Sequence, residues 1–477
     1  MKKEYGICNK PNLNLARKRI LNNSKIIKFE FPEHLIGIGN GKNYLLKTYG
    51  CQGNLADSEK MAGILERLGF TVCESEEVAD LILFNTCAVR ENAENRIFGE
   101  LGRIKKIKKR KPDLIIGICG CMMQEEATIN AIQKKYPHVD LIFGTHNIVE
   151  LPKYLEHILN DKKVIDVKSI EGDIYEDVPV VRDHPYKAWV NIMYGCDEFC
   201  TYCIVPYTRG RERSRMPQDI IKEVQELADK GYKEVTLLGQ NVNAYGKDLG
   251  IDYTFANLLT DLNKINIDRI RFTTSHPRDF DDATIEAMAL GGNIMPHLHL
   301  PVQSGNDEVL KRMNRKYTSG EYIEKMNKLK ERVPGISITT DIIVAFPGET
   351  EEQFQDTIKL VKTIEYEGAY TFIYSPREGT PAAKYPNPLT EDEKKQRLLA
   401  LNEVINEYTY KGHKRFEGEI VEVLVDGPSK STDMMYTGYT KHNMLVNFEG
   451  TPDLIGTIIK VKISKAFTWH LLGEIVK

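Results

Sequence analysis

The sequence lacks any stretch approaching the roughly 18 uninterrupted apolar residues of a membrane span. Its first residues, MKKEYGICNKPNLN, lack the apolar run of a secretory signal, so a cytoplasmic protein is expected. Charge of one sign is also missing. The net charge of −3 gives no global attraction to nucleic acid, so any RNA must be held by local basic patches. Low-complexity tracts are absent, and so is the paired CxxC arrangement of an ordinary zinc site. The cysteines number nine, an odd count with clustered spacing, which argues against a disulfide framework and for metal or redox chemistry. What remains is a charged, globular composition over 477 residues, enough for two to four domains.

Residues 1–42 are polar, rich in Asn and Lys and without clear periodicity, and read as a variable N-terminal extension with Cys8 a bystander. From Asn43 the runs NYLLKTYG, ADLILFNT, DLIIGIC and VDLIFGT alternate with amphipathic helical segments to residue 160. This order predicts an N-terminal α/β domain built on a parallel sheet. Residues 161–185 lose the alternation and read as a linker. A second series, YKAWVNIMYG, EVTLLGQN, RIRFTTSH, MPHLHLPVQ, SITTDIIVAF and AYTFIYSP, supplies six βα units over residues 186–410. Six units in a row predict a partial (βα)6 barrel, with chemistry at the C-terminal ends of its strands. Residues 411–477 turn to short β runs and predict a small β-barrel. The fold class expected is thus a multidomain α/β protein.

The cysteines fall into two sets of three. GCDEFCTYC holds Cys196, Cys200 and Cys203 in the loop after the first barrel strand. A four-iron cluster or a tetrahedral zinc ion wants four ligands, so three thiolates leave one corner open. Cys51, Cys87 and Cys121 each follow a strand of the first domain, 36 and 34 residues apart. In a parallel sheet all three emerge at the carboxyl edge, where open α/β folds place their ligands. Burial as structural cysteine is the competing reading. Cys119 competes with Cys121, which lies beyond a glycine and nearer the loop; Cys73, inside the β-like GFTVCES, reads as packing.

The Cys196-x-x-x-Cys200-x-x-Cys203 spacing resembles that of the radical S-adenosylmethionine (SAM) enzymes. The resemblance implies that each of these cysteines holds one iron of a 4Fe-4S cluster, whose fourth iron is chelated by the cofactor's amino and carboxylate groups. Tyr202 matches an aromatic near the cofactor's adenine, loop packing being its alternative. TYGCQGNLADSE, NTCAVRENAENR, GICGCMMQ, VPYTRGRERSR, LLGQNVNAYG, LPVQSGNDEVLKRMNRKYT and DIIVAFPGETEEQF extend the resemblance to the radical methylthiotransferase family over residues 43–477. It implies a second, auxiliary 4Fe-4S cluster on Cys51, Cys87 and Cys121, and an RNA-binding TRAM-like barrel at the C-terminus. One SAM would then donate a methyl group and another would be the radical source. The quoted motifs are most similar to the branch acting on isopentenylated adenosine beside the tRNA anticodon. A branch acting on threonylcarbamoyladenosine in tRNA and one acting on a ribosomal-protein aspartate are the alternatives, and a non-catalytic iron–sulfur RNA-binding protein is the rival of a different class. Implied partners are tRNA, an electron donor such as flavodoxin or ferredoxin, and an iron–sulfur or sulfur carrier. The chain is expected to be a monomer.

Amide side chains at the end of a barrel strand, Gln240 and Asn241 first and Asn243 after them, suit the cofactor's ribose or amino-acid part. Ser275, His276, Gln303 and Ser304 end other strands, and Asp341 lies inside a β-branched run where an acid needs a partner. For these, loop hydrogen bonding competes with a cofactor contact. No side chain is assigned a catalytic role, since the cofactor supplies the reactivity. For RNA, Arg209, Arg211, Arg213 and Arg215 in RGRERSR form a plausible substrate path, or one of them pairs with the cofactor. RIKKIKKRK, from Arg103 to Lys111, is either a basic patch or a solvated helix face. Tyr436, Tyr439, Phe467, Trp469 and His470 divide between stacking on bases and filling the barrel core.

Overall fold

The computed structural model describes residues 4–12, 15, 24–88, 91–429 and 435–476, with the side chains of 91–95 excepted. Two compact units are present: Met1–Asp183 with Met193–Asp197 and Cys203–Arg215, and His184–Ile192 with Glu198–Tyr202 and Met216–Lys477. Among the described residues no helix is long and apolar enough to cross a membrane.

The first unit contains β1 (Tyr5–Asn9), β2 (Ile26–Lys28), β3 (Asn43–Tyr49), β4 (Thr71–Val72), β5 (Leu81–Thr86), β6 (Ile115–Gly120), β7 (Leu141–Phe143), β8 (Lys163–Asp166) and β9 (Ile174–Glu176). Seven of them form one sheet in the order β1-β8-β7-β6-β5-β3-β4, with every pairing parallel. Successive side chains on a strand face opposite sides, and the core divides accordingly. Leu81, Leu83, Ile115 and Cys119 pack on one face with Met61, Ile64 and Leu65 of the helix Gln52–Arg67. Ile82, Phe84, Ile116 and Ile118 pack on the other with Ile97, Leu101 and Ile104 of the helix Glu91–Arg110. Burial on both faces explains why LILFNT and IIGICG read as nearly continuous apolar runs.

Two stretches differ from the reading of the sequence. Residues 1–42, read as an extension without periodicity, supply β1 at the sheet's edge and β2, which pairs with β9. Residues 161–185, read as a linker, hold β8 inside the sheet as well as β9. Strands of three to five residues are too short to show a local period, and β1, β2 and β9 find their partners more than 100 positions away.

The second unit starts its strands with β10 (Lys187–Asn191), while β11 (Met193–Tyr194) and β12 (Arg213–Ser214), an antiparallel pair, belong to the first unit. β13 (Glu234–Leu238) and β14 (Arg269–Thr273) extend β10 in parallel. β15 (His297–His299), β16 (Ser337–Val344) and β17 (Gly368–Ile373) form a second parallel group. A parallel bridge from Ile270 to Ile294 follows β14 toward β15. These are the six strands of the expected partial barrel. The remaining strands, β18 (Ile420–Pro428), β19 (Met435–Thr440), β20 (Leu445–Glu449), β21 (Ile458–Ala466) and β22 (Leu471–Ile475), close into a barrel around Val423, Val446, Phe448 and Val461. Arginines of β14 fasten it: Arg269, fully buried, donates to the carbonyls of Tyr439 and Glu422, and Arg271 donates to those of Thr440 and Lys441. Glu234, 2.9 Å from Arg271, balances the charge.

Candidate iron–sulfur and cofactor sites

In the first unit the strand register aligns three cysteines. Tyr49 pairs with Thr86 and Thr86 with Gly120, so Cys51, Cys87 and Cys121 all stand one or two residues beyond the same line across adjacent strands. Gly120 permits the turn into Cys121, because its φ of +98° is strained for any other residue and a Cβ there would collide with the Thr86 carbonyl. Asn54 ties the edge together. It accepts the backbone N–H of Cys51 and donates to Asn85 Oδ1 at 3.1 Å and to the Thr86 carbonyl. Cys87 and Cys121 are buried, and Cys51 is half-buried. A hydrogen bond from Cys87 draws the Cys51 thiol well below its ordinary range, assisted by the charge of Arg209. Burial pushes the Cys121 thiol up, against the pull of the same arginine. Cys119 turns the other way, into the core against Met61, and Cys73 packs at the margin of the opposite core; Cys8 is exposed.

Arg209, read in the sequence as part of an RNA path, stands here beside the thiols. Its Nε donates to Cys121 Sγ at 3.1 Å, and its Nη1 lies 2.7 Å from Asp57 Oδ2. Burial alone would lower its pKa, but Asp57, Cys121 and Cys51 hold it firmly charged. A buried cation among thiols favours their thiolate form. The donor set therefore fits a thiolate-ligated cluster. The other arginines of RGRERSR are also engaged. Arg211 pairs with Asp197 at 2.6 Å, Arg213 donates to the carbonyls of Gly172 and Arg209, and Arg215 grips both oxygens of Glu176. The row read as an RNA path is a structural strap, its partners too distant in sequence to be paired by inspection.

The loop GCDEFCTYC begins at Gly195, whose φ of +77° and close approach to the backbone of Arg211 admit no side chain. Cys196 and Cys203 belong to the first unit and Cys200 to the second. In the second unit, Asn314 donates to the carbonyls of Glu198 and Phe199, and Thr201 donates to the Arg312 carbonyl. Arg315, buried, places Nη1 3.5 Å from Cys200 Sγ. A guanidinium thus attends a cysteine of each set. Tyr202 meets Phe346 edge to face at 6.4 Å, so packing accounts for one side of its ring.

Beyond the C-terminal ends of β13, β14 and β15 lie buried polar atoms without hydrogen-bond partners among the described residues: Asn241 Oδ1, Asn243 Nδ2, Ser275 Oγ and Gln303 Oε1. Such atoms carry a desolvation penalty until a ligand satisfies them. Their mixture of donors and acceptors fits the amino-acid and ribose parts of a nucleoside cofactor. Asn241 spends its amide nitrogen on Asp279 at 2.6 Å, leaving its oxygen for such a contact. Gln240 is half-buried beside it. Ser304 is absorbed by Thr357 and the backbone of Asn306. Asp341 has the partner its position demanded, His299 at 3.4 Å. Glu198, His276 and Asp279 bring ligand atoms within 4.8 Å of one another. Arg278 and Lys247 already pair with these acids, so ion pairs offset the charge of both carboxylates.

The basic run Arg103–Lys111 is largely neutralised: Arg103 pairs with Glu76 and Glu100, Lys108 with Asp140, Arg110 with Glu77 and Lys111 with Asp80. In the C-terminal barrel Tyr436 is core, Tyr439 is half-buried, and Phe467 stacks on His470 at 4.6 Å. Trp469 is 63% exposed.

Comparison with known proteins places these features. Residues 43–144 match the family described as Uncharacterized protein family UPF0004, residues 190–361 the Radical SAM superfamily, and residues 414–476 the TRAM domain. Among solved structures, the radical S-adenosylmethionine methyltransferase TsrM from Kitasatospora setae, with cobalamin and a 4Fe-4S cluster bound, superposes with a TM-score of 0.51. The match covers 72% of this chain and 77% of that one at 14% identity, a likeness of fold. The tRNA-2-methylthio-N(6)-dimethylallyladenosine synthase of Bacillus cytotoxicus is 55% identical over 470 residues, 98% of this chain and 92% of its own length. That of Bacillus licheniformis is 56% identical over 469 residues, with the same coverage. At this identity, over nearly its whole length, the chain belongs to the family of the tRNA-2-methylthio-N(6)-dimethylallyladenosine synthases.

Proposed function

We propose that this protein is a radical SAM methylthiotransferase that converts N(6)-isopentenyladenosine beside the anticodon of tRNA to its 2-methylthio derivative. The observation that carries the reading is the second set of thiols, Cys51, Cys87 and Cys121, gathered at one sheet edge in a chain that already has Cys196, Cys200 and Cys203. The enzyme uses two 4Fe-4S clusters and SAM. Cys196, Cys200 and Cys203 hold the radical cluster, and Cys51, Cys87 and Cys121 the auxiliary one, each three-cysteine set leaving one iron for a ligand that is not protein. When bound, these groups supply hydrogen-atom abstraction at an adenine carbon that no side-chain base can deprotonate, together with the sulfur and methyl group to be transferred.

The chain's own part is to position, to balance charge and to exclude water. Arg209 and Arg315 offset thiolate charge in the two sets. Asn241, Asn243, Ser275 and Gln303 orient SAM through the polar atoms left unpaired at the strand ends, with Gln240 next to Asn241 in the chain and Tyr202 beside the adenine. The division into an auxiliary-cluster domain whose sheet takes in β1 and β8, a radical barrel (186–410) and an RNA-binding barrel (411–477) follows these roles. The chemistry needs a one-electron donor, such as flavodoxin or ferredoxin, and a sulfur source. A monomer in the cytoplasm carries all the required residues.

Nucleoside analysis tests the assignment. RNA from a strain lacking this protein should contain isopentenyladenosine but not its 2-methylthio form, and the Cys121→Ala chain should fail to restore it. If the modified nucleoside persists while a ribosomal protein loses a methylthio group, the assignment moves to another branch of the family.

A further inference from the structure

In the second unit, β17 stands at the edge of its sheet, and among the described residues no strand pairs with its far side. Its side chains divide between two faces. Thr371 turns outward to Asn402 of the helix Glu391–Lys414. Tyr370 and Phe372 turn the other way, to the concave side of the partial barrel, where Tyr370 meets the His299 ring edge to face at 5.9 Å. They remain 66% and 49% exposed. Two exposed rings side by side on one strand mark a place for an apolar ligand.

The neighbouring strand joins these rings to the cofactor site and adds a charge. Register places Asp341 beside Tyr370 and Ile343 beside Phe372. Ile343 packs against the same core cluster as Tyr202. Gln303 donates its backbone N–H to the Asp341 carbonyl and accepts that of Ile343. Phe372 therefore lies two strand spacings, about 10 Å, from the residue whose amide oxygen is left unpaired for SAM. The Asp341 side chain is 26% exposed, and His299 is its partner; among the described residues no lysine or arginine pairs with it. The wall is thus apolar at Tyr370 and Phe372, with a carboxylate next to them.

We propose that Tyr370 and Phe372 receive the N(6)-dimethylallyl group of the substrate adenosine, and that Asp341 turns away adenosines whose N(6) substituent carries a carboxylate. The inference rests on the isopentenyladenosine reading and names the residues that select this substrate. The dimethylallyl group is a branched hydrocarbon, flat about its double bond, and gains by leaving water against aromatic rings. A threonylcarbamoyl group brings its own carboxylate, and two like charges held close in a partly buried site repel. One surface thereby selects by attraction and by repulsion between two adenosines that differ only at N(6).

The test measures equilibrium binding of anticodon stem-loop RNAs to the reconstituted full-length chain, the adenosine being unmodified, isopentenylated or threonylcarbamoylated. Contacts to the RNA backbone are common to all of them, so ratios of dissociation constants isolate the pocket. The parent should prefer the isopentenylated RNA to the unmodified one by roughly tenfold. Tyr370→Ser with Phe372→Ser should abolish that preference while keeping the unfolding midpoint, since both rings are exposed. Asp341→Asn should narrow the preference for isopentenylated over threonylcarbamoylated RNA roughly tenfold at low salt, and less at high salt. A parent without the first preference, or a double variant that keeps it, overturns the aromatic wall. An Asp341→Asn chain that discriminates as the parent does overturns the repulsion. Each of these leaves the enzymatic reading intact, whereas a parent that binds the threonylcarbamoylated RNA more tightly removes that reading, and this inference with it.

Discussion

Replacing Arg209 by methionine should destabilise the first unit more than any exposed arginine change could. Methionine keeps most of the side chain's length and apolar volume, so packing is nearly conserved and charge is the variable. Asp57, 4% exposed, then loses the guanidinium 2.7 Å away, the only one brought to it among the described residues, and Cys121 loses its donor. Removing one member of a buried pair costs about 3–5 kcal/mol, because the remaining charge is left without compensation. For a unit of this size that is a fall of roughly 6–20 °C in thermal midpoint. The assay is a denaturant and thermal series on the iron-free, reduced, full-length chain, which separates the ion pair from cluster binding. The double variant Arg209→Met with Asp57→Asn should recover more than half of the loss, since no unpaired charge remains. Equal stabilities of the single and double variants, or a loss below about 1 kcal/mol, would refute the claim that this pair is buried and coupled.

Anaerobic reconstitution should give about eight irons per chain, falling to about four when Cys121 is replaced by alanine; Cys119→Ala should keep all eight, because its sulfur faces Met61 in the core. In acid, Glu76 should report on the docking of the helix Glu91–Arg110. Its hydrogen bonds to Arg103 lower its pKa from 4.5 to about 2. The unfolded chain therefore takes up that proton first as pH falls, and the stabilisation present above about pH 4.5 is lost progressively down to about 2. Denaturant midpoints at pH 6 and pH 3 should accordingly converge in Glu76→Gln. In the C-terminal barrel, Trp469→Ala should weaken tRNA binding by about 1–3 kcal/mol with little change in stability. Tyr436→Ala should instead lower the unfolding midpoint, its ring being part of the core.

The cysteines of the first unit were legible because βα alternation fixes where strands end, and a parallel sheet turns three separate sequence positions into one edge. Choosing Cys121 over Cys119 rested on a single glycine, and the structure gives that glycine its reason in the backbone turn at Gly120. The six strands of the partial barrel carried enough buried length to show their period. β1, β2 and β9 did not, since each is short and paired across more than 100 residues, and β8, which also pairs with β7, is only four residues long. The arginines of RGRERSR were open to misreading for a related reason. Alternate cations look like a nucleic-acid track until their partners are known, and Asp57, Gly172 and Glu176 lie in other elements. The unpaired atoms of Asn241, Asn243, Ser275 and Gln303 were indicated by strand ends alone. Which atom of each stays unpaired depends on neighbours such as Asp279, 38 residues from Asn241.

The strap that carries Arg209 also sets a tether. Arg209 is six positions after Cys203, and at 3.3–3.6 Å per residue those six steps span at most about 22 Å even when drawn straight. Arg209 in turn is held 3.1 Å from Cys121. One cysteine of the GCDEFCTYC loop and one of the sheet edge are therefore leashed to each other by covalent chain and a single side chain. Any handover between their surroundings has a maximum stride written into the polypeptide, whatever else moves.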